Sequence, residues 1–90
     1  MPRNCKRRNI GHNVISKFFK PNGIPLHNLE ITEIGQDEIE ALRLAYIENL
    51  NMIQGAQKMG VSAPTFNRIL NSGIGKIAQA LVYSKAIKIL

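Results

Sequence analysis

Between Met52 and Asn71 the chain reads MIQGAQKMGVSAPTFNRILN, and few folds accept that order of residues. Gly60 supplies the positive φ that a tight turn after a helix requires. Val61 is placed to plug the gap behind that turn, and Ser62 is a good N-cap for a following helix. Pro64 then falls in a first helical turn, where amides have no intrahelical partner anyway. Phe66, Ile69 and Leu70 recur at helical spacing and predict one buried face. Pro64, Asn67, Arg68 and Asn71 fall on the opposite face, where short or polar side chains reach outward. A small residue is needed where two such helices touch, and Ala56 is the expected one. Together these signals predict a helix-turn-helix, the unit that lays its second helix in the DNA major groove. An ordinary pair of packed helices would need neither the outward polar face nor its register with the turn.

The surrounding sequence predicts a mostly α, three- to four-helix domain. A first helix is expected over Gln36–Glu48, with Gly35 as N-cap and Asp37, Glu38 and Glu40 favourable to the helix dipole. Its apolar stripe is expected at Ile39, Leu42 and Tyr46, with Ala41, Leu44 and Ala45 beside it. Asn49 suits a left-handed C-cap, and Asn51 caps a second helix over Met52–Met59. Gly55 inside that helix costs it roughly 1 kcal/mol relative to Ala. Gly73 and Gly75 predict a break or hinge near Ser72–Gly75, with Ile74, Ile77, Ala78 and Leu81 resuming a separate helix to about Ser84. Residues 20–29, rich in Pro and Gly, predict a loop. Short strands are expected at Lys6–Ile10, at Leu29–Ile34 and, as an edge strand, at Ala86–Leu90. The division is a basic N-terminal arm over residues 1–20, ended by docking of Phe18 and Phe19, and a helix-turn-helix domain over residues 21–90.

Charge order sharpens the reading. The net charge is +6, yet all six acids, Glu30, Glu33, Asp37, Glu38, Glu40 and Glu48, stand between residues 21 and 50. Residues 1–20 and 51–90 hold cations and no acid, so both flanking blocks suit a polyanion. No apolar run is long enough to span a membrane, and no apolar segment after the basic start suggests a secretory signal. The single cysteine, Cys5, cannot close an intramolecular disulfide, which fits a reducing cytoplasm. His12 and His27 lack companions at metal-ligand spacing, and no phosphate loop or catalytic constellation stands out. No enzyme, metal, cofactor or small-molecule ligand is therefore expected.

The segment DEIEALRLAYIENLNMIQGAQKMGVSAPTFNRIL resembles region 4 of bacterial sigma factors and related response-regulator domains. The match extends further. MPR at the start, FKPNGIP at Phe19–Pro25, LE at Leu29–Glu30, DEIEALRLA, MGVS, TFNRIL and KAIKI together resemble the short proteins of domain-of-unknown-function family 134, also called uncharacterised protein family 0251. That resemblance covers nearly the whole chain and implies a small prokaryotic protein presumed to bind DNA. The chain departs from the family pattern at Ala63, where Arg is usual, at Asn67, where Gly is usual, and over Ser72–Lys76, where a more basic run is usual.

The expected function is sequence-specific binding of double-stranded DNA, with transcriptional regulation in the cytoplasm at the nucleoid. Ala63, Pro64, Asn67, Arg68 and Asn71 are the expected base-reading residues: Arg68 for guanine, Asn67 or Asn71 for adenine, Ala63 for a thymine methyl group. Lys58, Ser62, Thr65 and Lys76, with Arg3, Lys6, Arg7 and Arg8 of the arm, are the expected backbone contacts. One unit contacts few base pairs, so a homodimer is expected, through Ile77–Leu90 and Phe18–Phe19. The alternatives are a protein-interaction module built on the same helices, and RNA binding through the arm.

Overall fold

A computed structural model describes residues 18–90. The arm cations Arg3, Lys6, Arg7 and Arg8 and the expected strand at Lys6–Ile10 lie outside the described residues. The elements are β1 (Phe18–Phe19), a 3₁₀ turn (Leu26–Asn28), β2 (Ile31–Ile34), α1 (Gln36–Leu42) running on into a π-helical segment (Arg43–Ile47), α2 (Met52–Met59), α3 (Ala63–Tyr83) and β3 (Ala86–Ile89). The protein is mostly α, with a small sheet.

Both ends of the described chain meet in that sheet, whose order is β1-β3-β2. β3 runs antiparallel to β1, pairing Phe19 with Ile87, and parallel to β2, pairing Ile31 with Ala86 and Ile34 with Ile89. The expected edge strand at the C-terminus is thus the central strand. It is bonded on both sides, and its Ala86 and Ile89 are buried with Ile34. Phe18 and Phe19 anchor the end of the expected arm through backbone pairing, while their side chains stay exposed.

α1 starts as its sequence dictates. Gly35 is the N-cap, and its amide donates to Glu38 Oε1 at 2.8 Å. The inward face differs from the expected stripe: Glu38, Ala41 and Leu44 are buried and Tyr46 is exposed. Two causes act. Glu38 is drawn inward by three donors described below. The π-helical segment, in which the Glu48 amide donates to the Arg43 carbonyl at 2.9 Å, then advances the register so that Tyr46 and Ile47 face out. Asn49 adopts the expected left-handed conformation at φ 58°.

α3 is continuous from Ala63 to Tyr83, so the hinge expected near Ser72–Gly75 is absent. Gly73 is buried where α1 crosses closely. A Cβ there would lie 3.3 Å from Glu38 Cβ and 3.4 Å from Leu42 Cδ1. Close approach of two helices, not a bend, explains that glycine. α3 also lies against β2 and β3, so one helix braces the other helices and the sheet.

Candidate nucleic-acid interface

Local chemistry fixes the ends of α2 and α3. Asn51 caps α2: its Oδ1 accepts the Gln54 amide at 2.8 Å, and Gln54 Oε1 accepts the Asn51 amide at 3.0 Å. Gly60 ends α2 at φ 72°, and the Val61 amide returns to the Ala56 carbonyl at 3.0 Å. Ser62 caps α3, accepting the Thr65 amide on its hydroxyl oxygen at 3.3 Å, with Pro64 in the first turn.

The contact between α2 and α3 is closer than the sequence suggested. A Cβ on Gly55 would stand 2.5 Å from Phe66 Cζ. Gly55, not Ala56 alone, is the residue that admits the crossing. Ala56 is buried beside it in a cluster with Ala41, Leu44 and Phe66. Phe66 is 1% exposed and acts as the bolt between the two helices.

With Phe66 locked inward, the outer face of α3 is fixed. Pro64, Arg68 and Asn71 are exposed on one line of the helix, and Asn67 is half-buried at its border. Lys58 is exposed on α2, beside a shallow hollow it shares with Leu50, Gln54 and Gln57. Among the described residues, neither Arg68 nor Lys58 has an ion-pair partner; Glu30, Glu38, Glu40 and Glu48 pair with Lys85, Lys76 and Arg43 instead. The structure therefore sets Pro64, Asn67, Arg68 and Asn71 along one face of α3, and leaves Lys58 exposed on α2.

Four of the expected contact residues have partners within the fold. Ala63 is half-buried and packs against the apolar cluster. Ser62 and Thr65 serve the cap, the Ser62 hydroxyl donating to Thr65 Oγ1 at 2.9 Å. Lys76 is engaged within the fold: its Nζ lies 2.9 Å from Glu38 Oε1.

That last pair belongs to a part-buried network, centred on the buried Glu38, which sequence reasoning missed. Glu38 is 6% exposed and accepts from the Gly35 amide, the Ser72 hydroxyl and the Lys76 ammonium. Burial pushes its carboxyl up, but Ser72, Gly35 and Lys76 together outweigh burial and hold it below its ordinary value of 4.5. The network clamps α1 to the middle of α3. Its signal in the sequence was a Glu at the third position of the capping box, read there only as a helix-dipole charge.

Among the described residues no three metal-ligating side chains converge, and no helix is long and apolar enough to cross a membrane.

The family described as "Protein of unknown function DUF134" matches residues 1–90. Similar proteins include a UPF0251 protein of Vibrio vulnificus, 46% identical over 87 residues, covering 97% of this chain and 87% of that one. Another, from Desulforudis audaxviator, is 50% identical over 72 residues, covering 80% of this chain and 47% of that one. A third, from Rhodospirillum rubrum, is 44% identical over 89 residues, covering 99% of this chain and 62% of that one. The chain thus spans about half to nearly nine-tenths of these relatives. No solved structure matches.

Proposed function

We propose double-stranded DNA as the partner of this chain, which belongs to the DUF134 family. The reading is that α2, the Gly60 turn and α3 act as a sigma region 4-like helix-turn-helix, with the N-terminal half of α3 in the major groove. One observation carries it. The outer face of α3 offers Pro64, Asn67, Arg68 and Asn71 on a helix held rigidly from behind, with no acid anywhere in residues 51–90. A packed helix pair with no ligand has no need of an acid-free polar face.

Arg68 offers a bidentate fork to guanine, and Asn67 and Asn71 offer amides to adenine. Lys58, exposed on α2, is the cation we assign to the phosphate backbone. We read the protein as a transcriptional regulator acting at the nucleoid, with a second copy doubling the number of bases read. The exposed Val82 and Tyr83 at the end of α3 offer apolar surface for that copy.

A mobility-shift assay on pooled random duplexes, with RNA as competitor, tests this reading. Retention of the duplex against excess RNA is expected. Preference for RNA, or no shift at low salt, would overturn it.

A second reading has an observation of its own. Tyr46, Ile47, Met52 and Ile53 are all exposed around the α1–α2 connection, an apolar cluster of the kind that protein partners cover. Loss of duplex binding, with an intact fold and a partner held through these residues, would favour a protein-interaction module.

A further inference from the structure

The strand β1, the chain just after it and the last turn of α3 enclose a groove of about 330 Å³. We propose that this groove binds a small apolar carboxylate, a molecule with one anionic group on a short hydrocarbon body. Phe19, Pro21, Ala80, Leu81 and Ile87 give it an apolar lining, and Lys20, Ser84 and Lys85 line it as well. Small-molecule sites combine a mostly apolar lining with a few convergent polar groups at about this volume.

Charge decides what kind of ligand fits. Lys20 and Lys85 both line the groove, and no acid does. The Lys20 ammonium donates to the Ile24 carbonyl at 2.8 Å, which leaves two of its three donors. The Lys85 ammonium stands over the Tyr83 ring and lies 3.5 Å from Glu30, whose side chain is 82% exposed, so the ion pair is a weak surface one that a carboxylate in the groove would compete with. A cationic ligand would meet both lysines with like charge, and a purely apolar one would gain nothing from them.

The same charges argue against other occupants. Residues 1–17 carry Arg3, Lys6, Arg7, Arg8 and Lys17 without an acid, so that segment and the groove repel. A second copy facing the groove across a two-fold axis would bring Lys20 and Lys85 against their own equivalents. Val82 lies about 100° further around α3 than Leu81, so a second copy has a different face to use. The groove does not depend on the DNA reading. It stands at the far end of the same unbroken helix.

The probe is octanoate, titrated into the isotope-labelled full chain and followed by amide resonances, with octylamine, octanol and inorganic phosphate as comparisons. Octanoate should move the Ala80, Leu81, Ser84 and Ile87 signals together and saturably, with a dissociation constant on the order of 1 mM for so few atoms. Octylamine should bind more weakly, and phosphate alone should leave these signals in place. The double variant Lys20→Gln, Lys85→Gln should weaken octanoate about fivefold, as loss of two exposed charges allows, and leave octanol unchanged. Equal binding of octylamine, movement with phosphate alone, or no saturable movement would overturn the proposal. So would movement of these signals with protein concentration alone, which would assign the groove to a second copy.

Discussion

The Phe66 ring occupies the space into which a side chain on Gly55 would project: a Cβ there would stand 2.5 Å from Cζ and 2.8 Å from Cε1. Helix propensity favours a larger residue within α2, and packing forbids it. Phe66 has no room to retreat, because it is buried against Ala41, Leu44 and Ala56. The ring thus sets how closely α2 and α3 approach, and with it the direction in which Arg68 and Asn71 face.

Gly55→Ala is therefore expected to lower stability by about 1–3 kcal/mol through overpacking, although Ala is the better helix former. Urea denaturation measures it. Pairing the change with Phe66→Leu should recover part of the loss relative to the sum of the single changes. A stabilised Gly55→Ala protein would contradict the contact.

Gly73 and Gly75 should behave differently, although both lie inside α3. Nothing stands within 4 Å of a Cβ on Gly75, so Gly75→Ala should gain up to about 1 kcal/mol. At Gly73 the new methyl would press on Glu38 and Leu42 of α1, and the gain should be cancelled or reversed. Equal gains at both positions would refute the close crossing of α1 and α3.

Glu38 predicts a pH dependence. Its folded carboxyl titrates below the ordinary value of 4.5, so its contribution is present above that value and is lost as pH falls through the folded one. Glu38→Gln should destabilise the protein at neutral pH and flatten the fall in melting temperature between about pH 5 and pH 3. An unchanged slope would show that other carboxylates govern acid unfolding.

These three predictions rest on features with unequal traces in the sequence. The caps Gly35, Asn51 and Ser62, the Gly60 turn and the bounds of α2 were all legible, because each depends on residues a few positions apart. What escaped depends on partners distant in the chain. Gly55 and Gly73 read as helix weaknesses until Phe66 and α1 stand against them. Glu38 and Lys76 meet only because α1 crosses α3, and β3 is central only because β1 and β2 flank it. The π-helical segment at Arg43–Ile47 left no signal in apolar spacing, so Tyr46 was placed on the wrong face. Within the candidate interface the outward positions of Pro64, Arg68 and Asn71 followed from helical period alone, whereas the engagement of Ala63 and Lys76 required the tertiary fold.

Salt dependence addresses the electrostatic part of the functional reading. If about six phosphates are neutralised, log K should fall with log salt at a slope of about −5. Deleting residues 1–8 should flatten that slope and leave sequence preference intact. An unchanged slope would remove those residues from the DNA.

The central claim is that the outer face of α3 reads bases, and selection of bound duplexes from a random pool tests it most directly when run with the unaltered protein, Arg68→Ala and Lys58→Ala side by side. The account predicts an enriched motif for the unaltered protein. Arg68→Ala should relax one base pair of that motif and cost about 1–3 kcal/mol on the best site, while Lys58→Ala weakens all sequences alike. Absence of any enriched motif, or an Arg68→Ala protein that loses specific and non-specific binding equally, would contradict it.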